Sequence, residues 1–200
     1  MDYGFLLRSI IMQLVVFSII PFLYWFIKER KNTSFFSYIG LVRLQTTESI
    51  QSILLIIICY IIVYGIVHFT PIAILTQPSA NAYEGTGIIA IIPAFFVCFI
   101  QQALAEEVLF RGFIGKRLIS KVGLNTGNTL QAGIFGATHV LLSISDEKTT
   151  GAYLIIMVSI TAGGWLLGYL DEKIFKGSIV PSILLHGLGN YIMILSVALY

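Results

Sequence analysis

The run Ala105-Glu106-Glu107-Val108-Leu109-Phe110-Arg111 sets two adjacent carboxylates and a guanidinium at the end of an apolar stretch over residues 87–104. An ionisable group within a membrane costs about 2.5–3.5 kcal/mol on insertion scales, so such a group marks a functional site or a structural ion pair. Glu107 and Arg111 are four residues apart, the spacing of a helix-surface pair at the membrane edge. That pairing leaves Glu106, about 100° further round a helix, in need of another role. Further along are His139, four residues after Phe135, and His186, four residues before Asn190. Each of these pairs shares a helix face. Unpaired polar groups are costly in hydrocarbon, so these side chains are expected to converge on one another or on a water-filled cavity. His68, at the end of an apolar run and beside a loop, reads as an ordinary interface residue.

Several chemistries fit two histidines and a carboxylate. Two His and one Glu form zinc hydrolase sites, although no H-E-x-x-H run occurs. A desolvated carboxylate can also act as general base on water, with one histidine orienting that water. A second histidine and an amide aimed at the scissile carbonyl would then stabilise an oxyanion. Ser143, Ser159, Ser178 and Ser182 lie in no G-x-S-x-G context. Cys59 and Cys98 sit in apolar runs without a C-x-x-C or a Cys/His cluster, which gives no redox or metal signal. Chains of Glu and His also serve proton-coupled transporters, but no internal repeat is visible to support that class.

The elements that must position these residues follow from composition. Of the 200 residues, 57% are hydrophobic and 11% charged, and the mean hydropathy is +0.91. Soluble domains average about 25% charge, so the chain reads as an integral membrane protein. Spanning segments must then be helices or a closed barrel. The apolar runs are about 20 residues long, the length of a spanning helix, and lack the alternation of barrel strands. The fold class is therefore all-α, a polytopic membrane protein of about six helices. They are expected at residues 5–27, 49–69, 86–106, 129–142, 152–170 and from 178 onward, and the third can continue to 119. Gly123, Asn125, Gly127 and Asn128 read as the break after it. Between the runs lie loops with Pro71, Pro78 and Asn81, with Asp146-Glu147-Lys148, and with Asp171-Glu172-Lys173. The first apolar run is too long for a signal-peptide core and reads as a retained helix.

Basic residues orient this arrangement. Lys28, Arg30, Lys31, Arg43, Arg111, Lys116, Arg117, Lys121, Lys173 and Lys176 fall in alternate loops, against Arg8 and Lys148 on the other side. The positive-inside rule places both termini outside and the end of the third helix towards the cytoplasm. Gly133, Gly136, Gly163, Gly164, Gly168, Gly187 and Gly189 let the last three helices approach closely. Residues 86–200 therefore read as a compact core of four helices, and residues 1–85 as two peripheral transmembrane helices.

Glu106-Glu107-x-x-x-Arg111, Phe135-x-x-x-His139 and His186-x-x-x-Asn190, in this order and on separate predicted helices, resemble the three motifs of the CPBP family. This is the CAAX-protease and bacteriocin-processing group, also called Abi proteins. The resemblance covers about residues 94–195. It implies an intramembrane endopeptidase of the short bacterial type, metal-independent and without cofactor. Glu106 would activate water with the help of His139, His186 and Asn190 would form the oxyanion site, and Glu107, Arg111 and Phe135 would support them. The implied partners are membrane lipid and a peptide or protein substrate, either C-terminal and prenylated (C-a-a-X-like) or a bacteriocin-like peptide, and no nucleic acid. The other role within the family is a non-catalytic bacteriocin-immunity or peptide-binding protein.

Overall fold

The structure, a computed structural model of the chain, describes residues 2–68, 80, 82–144 and 150–199. The expected loops at Pro71, Pro78 and Asn81 and at Asp146 to Lys148, the last residue of the second expected helix, and the His68 side chain lie outside the described residues. The described chain is helical, in the order α1 (Tyr3–Lys28), α2 (Phe35–Ile39) and α3 (Ile50–His68), α4 (Gly87–Val122), α5 (Leu124–Ser143), α6 (Thr150–Ile174) and α7 (Val180–Leu199). Among the described residues, α1, α4, α6 and α7 are the 4 helices long and apolar enough to cross a membrane. The protein is an all-α integral membrane protein.

Helix α4 organises the rest. Helices α1, α5 and α7 pack against it, α6 lies against α5, and α3 lies against α6. Along its 36 residues, α4 widens into π-type turns at Phe96–Leu104 and again at Val108–Gly115. These flank the three α-helical residues Ala105–Glu107. Wide turns of this kind are frequent at functional sites.

The turn after α4 differs from expectation. Gly123 alone breaks the chain, with φ +83°, a conformation that glycine adopts at little cost. Asn125, Gly127 and Asn128 belong to the first turns of α5. Their polarity and small size serve packing between helices. A Cβ on Gly127 would lie 2.5 Å from the Ile119 backbone nitrogen, and Asn128 Nδ2 donates to the Trp165 carbonyl at 2.8 Å. The Gly164/Gly168 pair acts within the chain in the same way. A Cβ on Gly164 would crowd Arg111 and Phe135, and one on Gly168 would collide with the Asn128 side chain.

The polar segment after α1 is also more ordered than a loop. Ser34 caps α2 by accepting the Ser37 N–H, and Ile39 is buried against Val108 and Ile179. Gly40, at φ +81°, accepts the Ile179 N–H through its carbonyl at 2.9 Å. Lys116 pairs with Glu172 at 2.6 Å and donates to the Gly177 carbonyl at 2.7 Å. Arg117 stacks 3.5 Å from the centre of the Tyr38 ring. The segments following α1 and α6 and the last turns of α4, which hold most of the basic residues, thus meet at one end of the bundle.

Candidate active site

Glu106 lies midway along α4 rather than near its end, because the helix runs on to Val122. It is 17 residues before Gly123, and His139 is 16 residues after it. An antiparallel pair of helices turning at Gly123 therefore brings the two to the same level, about 25 Å from the turn at 1.5 Å per residue. Glu106 Oε2 stands 3.7 Å from His139 Nε2 and 3.9 Å from His186 Nε2. His186 is six residues into α7, about 9 Å from its start. Three helices thus deliver one carboxylate and two imidazoles to one point. Glu106 and His139 keep 14% and 24% of their side chains exposed, while the Glu106 Oε2 atom itself is buried.

The two histidines face Glu106 alike but are anchored differently. His139 Nδ1 lies 2.9 Å from the Phe135 carbonyl, one turn back on its own helix. A carbonyl oxygen only accepts, so Nδ1 is the donor of that bond, and Nε2 is left facing Glu106. His186 Nδ1 instead lies 2.8 Å from Glu107 Oε1. The carboxylate accepts from Nδ1 and holds the ring with Nε2 towards Glu106.

Glu107 is fully buried and also pairs with Arg111 at 3.0 Å. The pairing matches expectation, but the pair sits in the protein core and not on a helix surface at the membrane edge. Arg111 is held from its other side by Phe135, whose ring centre is 4.1 Å from the guanidinium carbon. The same ring packs against His139 at 4.4 Å, Phe110 at 4.9 Å and His186 at 6.2 Å between centroids. Gly164 leaves room for this stack, and Gly187 lets α7 close on Phe99 beside His186.

Asn190, one turn beyond His186, is buried, and its Nδ2 donates to Gln102 Oε1 at 3.0 Å. Gln102 precedes Glu106 by one turn of α4. No group of three His, Cys, Asp or Glu side chains among the described residues is arranged to hold a metal ion.

The family model described as Type II CAAX prenyl endopeptidase Rce1-like matches residues 86–192, more than half of the 200-residue chain. The chain belongs to this family. No curated protein matches it, and no solved structure does. The span matched to the CAAX endopeptidase family opens one residue before α4 and closes two residues after Asn190. It therefore contains every residue of the constellation, and α1 to α3 lie outside it.

Sequence reasoning missed two features of this Rce1-like core. Gln102 and its neighbour Gln101, which donates to Gln13 of α1 at 3.1 Å, are amides in otherwise apolar runs, and that contrast was the available signal. Asp171 reads as a loop charge beside Glu172 and Lys173 but lies in the last turn of α6, fully buried. Its Oδ1 accepts the Ser182 N–H at 3.2 Å, within the first turn of α7. An acceptor there satisfies an orphan N–H of the helix start.

Proposed function

We propose that the protein is an intramembrane endopeptidase in which Glu106 activates water without a metal ion. The observation that carries this reading is the position of Glu106 Oε2 between the Nε2 atoms of His139 and His186. At 3.7 and 3.9 Å neither contact is a direct hydrogen bond. The spacing suits a shared water. That water donates one proton to Glu106 and the other hydrogen bond to the lone pair on His139 Nε2.

Attack then follows the order of a general-base hydrolysis. As the water oxygen bonds to the scissile carbonyl carbon, Glu106 takes its proton and the carbonyl π electrons move to oxygen. With Glu107 holding Nδ1, His186 turns Nε2 to that oxyanion as a hydrogen-bond donor, together with the Asn190 amide. Collapse of the tetrahedral intermediate breaks the C–N bond, and the proton on Glu106 passes to the departing amine. Positioned general bases contribute about 10²–10⁴ in rate, and each oxyanion donor about 10²–10³.

Residues 86–200 form the catalytic core in this reading, and α1 and α3 flank it. The substrate is a membrane-associated peptide or the C-terminus of a protein, with a C-a-a-X-like tail as the first candidate. The basic residues gathered at one end of the bundle support a cytoplasmic placement of that end, with both termini outside. The test is cleavage of a fluorogenic farnesylated C-a-a-X peptide by the protein in liposomes, compared with Glu106→Gln. Abolished cleavage in the variant is expected. Cleavage retained in Glu106→Gln overturns the assignment of the base. If the wild type cleaves neither the prenylated peptide nor a non-prenylated control, a role in binding or immunity takes its place.

A further inference from the structure

The geometry points to Gln102 as a positioning residue for the reaction, acting through Asn190. The inference rests on the oxyanion role proposed for Asn190 and adds a residue that the three motifs do not contain. A carboxamide is nearly symmetric in shape, and rotation by 180° exchanges its donor and acceptor ends. An Asn at an oxyanion site works in only one of these orientations. Gln102 Oε1 accepts from Asn190 Nδ2 at 3.0 Å, which fixes the side of the Asn190 amide that carries hydrogen.

The placement is built into the helices. Gln102 lies one turn before Glu106 on α4, and Asn190 one turn after His186 on α7. The two helices run antiparallel here, so the amide pair forms a polar layer directly next to the Glu106–His186 layer. Both amides lie within the bundle, Asn190 being buried, where an amide must find a partner because hydrocarbon offers none. Gln101 provides an internal contrast, since it turns the other way and bonds Gln13 of α1. Helix α4 thus carries two adjacent intramembrane glutamines, one tying it to α1 and the other reaching the catalytic layer.

The experiment is a double-mutant cycle on cleavage of the farnesylated C-a-a-X peptide in liposomes, with melting temperature measured alongside. Gln102→Met keeps the side-chain length and removes the acceptor. It is expected to lower kcat about tenfold, less than the 10²–10³ for outright loss of an oxyanion donor, with KM nearly unchanged. Asn190→Ala should lose about 10². The double variant should be no slower than Asn190→Ala, because Gln102 has nothing left to orient. Gln101→Met should lose stability without losing kcat.

A purely structural Gln102 would make the two losses multiply, and that outcome overturns the inference. So does a Gln102→Met enzyme with wild-type kcat alongside a slowed Asn190→Ala, which leaves the oxyanion reading standing. An Asn190→Ala enzyme as fast as wild type removes both the oxyanion role and the inference built on it, as does a wild type that cleaves nothing.

Discussion

Glu107 Oε1 lies 2.8 Å from His186 Nδ1 while the same carboxylate pairs with Arg111 at 3.0 Å. One fully buried anion thus serves a guanidinium and an imidazole. This contact distinguishes the two histidines, since His139 anchors its Nδ1 on a backbone carbonyl instead. The ring on the carbonyl suits acceptance of a hydrogen bond from water, and the ring on the carboxylate suits donation to an oxyanion.

Glu107→Gln keeps the shape and removes the charge. It leaves Arg111 as an uncompensated buried cation, and breaking a buried pair in this way costs about 3–5 kcal/mol. The variant should melt at a clearly lower temperature in detergent and lose at least tenfold in kcat. Wild-type melting and activity together would show that Glu107 supports neither Arg111 nor His186.

His139→Ala should cut kcat by about tenfold, the worth of one hydrogen bond that orients the water, with little change in melting temperature because His139 is partly exposed. His139→Gln, which can still hydrogen-bond water but is not basic, should recover only part of the loss. The ratio of kcat values for the two variants, measured on the same peptide, checks this. No recovery by glutamine would show that His139 does more than hold the water by a hydrogen bond.

Phe135 joins Arg111, His139 and His186 through one ring. Phe135→Leu removes the cation–π contact, worth about 2 kcal/mol or more when desolvated, and frees both imidazoles. Stability and kcat should both fall, whereas Phe135→Tyr should preserve the stack and most of the activity. Loss of activity with an unchanged melting temperature in Phe135→Leu would confine the ring's role to orienting the histidines.

The glycines of α5 and α6 are not equivalent. Gly168→Leu would drive a side chain into Asn128, an overpacking that costs about 1–3 kcal/mol or more. Gly133→Ala meets no atom within 4 Å and should be neutral or slightly stabilising. Thermal unfolding in detergent separates them. A tolerated Gly168→Leu would mean that α5 and α6 do not pack as closely as the structure has them.

Much of this was legible in the sequence because helical spacing carries it. The four-residue steps from Phe135 to His139, from His186 to Asn190 and from Glu107 to Arg111 each identify one helix face, and apolar length identifies the helices. What the sequence obscured were charged and amide residues buried in the core. Asp171 lies between apolar stretches and beside Glu172 and Lys173, a pattern identical to that of a polar loop. Arg111 likewise reads as a loop cation, although it is buried against Phe135 and Glu107. The level of His139 relative to Glu106 was hidden by Asn125, Gly127 and Asn128, which resemble a turn but form the first turns of α5. Only the single break at Gly123 makes the two residues equidistant from the turn.

The central claim is that Glu106 activates water without a metal ion, and one assay addresses it most directly. Purified protein in liposomes is given the farnesylated C-a-a-X peptide, with and without a strong chelator, beside Glu106→Gln. Cleavage is expected to survive chelation and to disappear in Glu106→Gln. Cleavage abolished by chelator and restored by added zinc would contradict it, and would make Glu106, His139 and His186 ligands of a metal.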